Sequence, residues 1–89
     1  MTIKEIKKSL EAKGFFVSNG TTHVIAGKNP ETDPRNGIIA MKFAVGIEII
    51  DKKAIVNYSR NQIGKEKSFD NVKDLVDFIV EGYPFGPPL

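Results

Sequence analysis

Apolar residues recur at two different spacings along the chain, and the switch between them marks out the elements. Near the N-terminus Ile3, Ile6 and Leu10 fall at i, i+3 and i+7, with Lys4, Lys7, Lys8 and Glu11 around them, which predicts an amphipathic helix. Thr2 with Glu5 three residues on has capping-box spacing, and Gly14 after Lys13 marks the helix exit. Phe15-Phe16-Val17 opens a short strand, Ser18-Asn19-Gly20-Thr21 a turn, and residues 22–26 a returning strand. Residues 28–37, with two prolines and several turn formers, read as a loop. Ile39, Met41, Phe43, Val45, Ile47 and Ile49 then alternate with Ala40, Lys42, Ala44, Gly46 and Glu48, the period-two signature of a long strand with one apolar face. Asp51-Lys52-Lys53 turns the chain into a strand over residues 54–60, and residues 61–67 read as a polar connection. Val72, Leu75, Val76 and Ile79 restore helical spacing, capped by Ser68 or Asp70 and ended at Gly82.

The predicted class is α+β: one small domain, order α-β-β-β-β-α, over residues 1–82, followed by a proline-rich tail at 83–89. An antiparallel sheet needs cover for its apolar face, so both helices are expected on one side, with the other face open to water or a partner. The 89 residues are 40% hydrophobic and 27% charged, ordinary values for a folded domain. There is no cysteine, which excludes disulfides, thiolate nucleophiles and cysteine-ligated metals. The N-terminus carries no apolar run like a signal peptide, and no stretch approaches the ~18 apolar residues of a membrane span. The expectation is a cytoplasmic protein with no membrane partner.

Net charge is only +2, but its distribution is uneven. Residues 51–67 carry Lys52, Lys53, Arg60, Lys65 and Lys67 against two acids, whereas residues 68–89 carry Lys73 against Asp70, Asp74, Asp77 and Glu81. The basic set, with Lys7 and Lys8 added and Tyr58 as a stacking ring, is a candidate nucleic-acid footprint. Asp70, Asp74 and Asp77 share a helix face; oxygen ligation of a cation there competes with the plainer reading of a solvated helix side. Tyr83, Phe85 and Leu89 in the tail either dock in a partner's groove or fold back on the chain's own sheet. His23, the single histidine, is the candidate general base. No phosphate-binding glycine loop, Gly-x-Ser-x-Gly or His/Cys metal spacing is present, so no metal or cofactor is expected.

The segments Ile3-Lys4-Glu5-Ile6-Lys7-Lys8, Lys13-Gly14-Phe15, Gly20-Thr21-Thr22-His23 and Asn29-Pro30-Glu31-Thr32 faintly resemble the HicA-type toxins, small messenger-RNA-cleaving proteins. The resemblance spans residues 3–32 and implies a fold like double-stranded-RNA-binding domains, with His23 at the catalytic position. An extra Thr separates Gly20 from the histidine, and an acidic last helix stands where that family has a basic one. The residues themselves favour a non-enzymatic binding or interaction module working through a protein partner or self-association. The alternative is a nucleic-acid-binding protein or small ribonuclease using the basic hairpin and His23.

Overall fold

A computed structural model describes residues 1–85, so Gly86, Pro87, Pro88 and Leu89 of the predicted tail lie outside the described residues. Helix α1 (Ile3–Ala12) opens on Thr2, whose hydroxyl oxygen accepts the Glu5 amide at 3.2 Å. It closes on Gly14 at φ +89°, with the Phe15 amide donating to the Leu10 carbonyl and that of Gly14 to Glu11. This left-handed closure is cheap only for glycine, and it turns Phe15 back into the core.

Five strands follow in a meander: β1 (Phe16–Val17), β2 (His23–Thr32), β3 (Ile39–Ile50), β4 (Lys53–Arg60) and β5 (Ile63–Phe69). They lie side by side in sequence order, every neighbouring pair antiparallel. Helix α2 (Val72–Gly82) then returns across the same face that α1 covers. The α+β class, the single antiparallel sheet and the two helices on one side are as the pattern predicts, and the sheet has one strand more.

That extra strand is β5, in the segment read as a polar connection. Its charged sequence hides it, because all its residues except Phe69 are exposed. A two-residue turn creates it: Asn61 and Gln62 have φ +52° and +66°, the type I′ geometry that matches strand twist. Asp51 and Lys52 make the same turn between β3 and β4. Strand β2 also runs past its expected end, through Pro30 to Thr32. A bulge allows it: Asn29 sits at φ +56°, and pairing resumes at Glu31 opposite Ala40. The cap of α2 is Asn71 rather than Ser68 or Asp70; its side-chain oxygen accepts the Asp74 amide at 2.9 Å.

The core lies between helices and sheet. Ile6, Leu10, Leu75 and Ile79 descend from the helices onto Val24, Ile47, Ala54 and Val56, all at most 1% exposed. No polar or charged residue is buried among the described residues. Phe85 joins this core at 2% exposure, against Tyr58, Phe78 and Tyr83. Two of the tail's aromatic residues therefore fold back on their own domain.

Candidate binding surface

Side chains alternate across a strand, so the residues between the core positions point away from the helices. His23, Ile25, Gly46, Glu48, Ile50, Ile55 and Asn57 lie on that open face by register: His23 opposite Glu48, Ile25 opposite Gly46, and Gly46 opposite Asn57. Ile25 and Ile50 are 48% and 49% exposed. A shallow hollow of about 200 Å³ lies over His23, Ile25, Gly46, Glu48 and Asn57.

The sheet then divides. Strands β3 and β4 pair only from Gly46 opposite Asn57 to Ile50 opposite Lys53. Two residues of β3, Phe43 and Ala44, oppose Gly27 of β2, with Phe43 at φ +56°. This bulge bends β3, and residues 39–45 pair, among the described residues, only with β2. Strands β2 and β3 project as an arm bearing Ile38, Ile39 and Phe43 exposed. On the other side of the division, β4 and β5 continue together to Arg60 and Ile63. A groove of about 430 Å³ lies in the crotch, lined by Ala44, Asn57, Tyr58, Ser59, Gly64, Lys65 and Glu66.

The arm's tip is knitted by its own polar groups. The Asp33 carboxylate accepts the Arg35 amide at 2.8 Å and its guanidinium at 3.3 Å. Those bonds, the backbone one first, hold the Asp33 pKa below the ordinary carboxylate value.

The proposed nucleic-acid residues converge in part: Tyr58, Arg60, Lys65 and Lys67 share one face of the β4–β5 hairpin, with Tyr58 opposite Lys65, whereas Lys52 and Lys53 stand apart. Lys52 occupies the β3–β4 turn, and Lys53 lies 3.6 Å from Asp70 in an exposed ion pair. Arg60 is at the opposite end of β4, about 23 Å away at strand rise, and Lys65, opposite Tyr58, is about 17 Å away. Arg60 donates to the Gly82 carbonyl at 3.3 Å and lies over the Phe85 ring. Lys67 lies over Phe69 and Phe78. The Tyr58 ring is packed on Phe78 and Phe85, at 5.2 and 5.3 Å between centroids. Of the α1 lysines, Lys7 donates to the Asn19 side chain, and Lys8 is exposed. His23 is exposed on β2, three strands from Lys65.

The acidic residues of α2 line a groove of about 470 Å³ with Lys67 and Phe78. Asp77 is held by Lys73 at 2.7 Å, which raises the lysine pKa, and Asp74 accepts from Asn71 at 3.0 Å. No group of three or more potential metal ligands assembles among the described residues. No helix among them is long and apolar enough to cross a membrane.

The sequence marks the long apolar strand as an edge open to another chain, but not which of its residues emerge, although a signal existed. A strand of 12 residues spans about 40 Å, whereas helices of 10 and 11 residues span only about 15–17 Å. Part of so long an apolar strand must emerge from under such helices. No protein-family model matches the chain, and neither curated proteins nor solved structures yield a match.

Proposed function

We propose that this domain is a non-enzymatic binding module whose working surface is the open sheet face together with the β2–β3 arm. The supporting observation is where the large exposed apolar side chains fall. Among the described residues, five of the seven, Ile25, Ile38, Ile39, Phe43 and Ile50, belong to β2, β3 or the loop joining them, on surface that neither helix covers; Ile63 on β5 and Val80 on α2 are the other two. Exposed apolar surface is what protein–protein contact removes from water. The groups that chemistry or phosphate binding would need are dispersed or engaged with the protein's own side chains.

The test sets the two classes of partner against each other. Full-length protein and an Ile25→Lys variant are compared in capture from a cell lysate and in binding to short RNA and DNA across a salt series. Proteins retained by the wild type and lost by the variant support the module. RNA or DNA binding that weakens linearly in log–log terms with salt, ignores Ile25→Lys and falls with Lys53→Ala or Lys65→Ala overturns it.

A further inference from the structure

We propose that the β2–β3 arm pairs with the same arm of a second copy of this chain, β3 against β3, on a two-fold axis at Met41. The inference rests on reading the domain as an interaction module and names one partner for its arm.

Apart from the two-residue β1 and two three-residue stretches, 23–25 of β2 and 58–60 of β4, the sheet leaves three longer edges without a strand partner among the described residues: the outer edge of β5, residues 28–32 of β2, and residues 39–45 of β3. An unpaired edge is a template for another strand unless something guards it. Strand β5 is guarded by charge. Two copies placed antiparallel about an axis at residue 65, 66 or 67 set Lys65 against Lys65, Glu66 against Glu66 or Lys67 against Lys67. Like charges directly opposite are destabilising. The β2 edge is guarded by Pro30, which has no amide hydrogen to donate, and by the bulge at Asn29.

The β3 edge carries no proline, and its own bulge, at Phe43 and Ala44, falls at the end of the paired stretch rather than within it. With Met41 on the axis, Met41 meets Met41, Ile39 meets Phe43, and Ala40 meets Lys42. A two-fold contact must be self-complementary, and this register sets apolar residues together and no charge against its like. An aromatic residue opposite a β-branched one is among the favoured cross-strand pairs. Ile39 and Phe43 are 47% and 37% exposed in the single chain, so pairing removes them from water. A two-fold axis perpendicular to the sheet keeps all four helices on one side. It joins the two open faces into one surface carrying two copies of Ile25 and Ile50.

The test is sedimentation of the full chain at tens of micromolar, with a charge exchange on the axis. The wild type is expected at twice the 9.8 kDa chain mass. Met41→Glu and Met41→Lys are each expected at half the wild-type mass, with far-ultraviolet circular dichroism unchanged. Mixing the two variants in equal amounts is expected to restore the doubled mass, because Glu then faces Lys across the axis. A monomeric wild type overturns the proposal. So does a dimer that survives both substitutions, or a mixture that stays monomeric. Ile25→Lys lies off this edge and keeps the doubled mass, so its effect on partner capture tests the module reading separately.

Discussion

Past the division of the sheet, two hairpins end the molecule on opposite plans. The β4–β5 hairpin is charged along its free edge, yet its inner side is roofed. Tyr58 packs under Phe78 and Phe85, Arg60 reaches the Gly82 carbonyl, and Lys67 lies over Phe69 and Phe78. The β2–β3 arm is apolar at Ile38, Ile39 and Phe43, and among the described residues those three stay exposed. Cover rather than hydrophobicity separates core from surface here. Two helices of three turns each cannot reach both ends of the sheet, and the aromatic tail was used to roof the more polar end.

The sharpest way to break this comparison is to remove the roof. Phe85→Ala deletes a side chain that is 2% exposed and touches three other rings, and the expected loss is about 3–5 kcal/mol. Urea denaturation measures it, and a loss below about 1 kcal/mol, the scale of a half-exposed site, would mean that the tail covers nothing. The hairpin turns sharpen the comparison in the opposite direction. Gln62 holds φ +66° in a type I′ turn where glycine is preferred, so Gln62→Gly is expected to stabilise the β4–β5 hairpin by about 0.5–1 kcal/mol. A downward shift in the melting temperature of that variant would show that the Gln62 side chain has a partner outweighing the strain.

On the arm, Ile39→Thr should leave monomer stability within about 0.5 kcal/mol, because the residue is already 47% exposed. The comparison must be made at dilutions where chains do not pair. A cost similar to that of Phe85→Ala would place the arm within the core. The smallest effect belongs to the arm's tip. Folding lowers the Asp33 pKa, so its contribution is complete above the unfolded carboxyl value and fades as pH falls through the depressed folded value. Titration followed by NMR should find Asp33 below its ordinary value of 3.8, and returned to it when Arg35→Pro removes both donors.

Legibility in the sequence followed the strength of each local pattern. Both helices could be read from their stripes because Ile3, Ile6 and Leu10, and Leu75, Val76 and Ile79, each fill one buried face. The long strand β3 could be read from its alternation. Strand β5 could not, since an edge strand exposed on nearly every residue has no apolar period to find. Its clue was Asn61, a residue that tolerates the left-handed conformation, but Gln62 after it is a poor hairpin signal. The candidate site was legible in part. The expectation of an open sheet face followed from having two helices and one sheet, whereas the basic set was grouped by nearness in sequence.

Nearness in sequence fails along a strand, where residues Lys53 and Arg60 stand at opposite ends of one element. The sequence by itself determined the class, the two helices, the central strand and the apolar side of each, because these depend on spacings within ten or so residues. Tertiary structure alone decided where β3 parts from β4, which end of the sheet Phe85 covers and which strand edges stay open. Those outcomes depend on how far a helix of fixed length reaches across a longer strand, a quantity carried by no single segment of the chain.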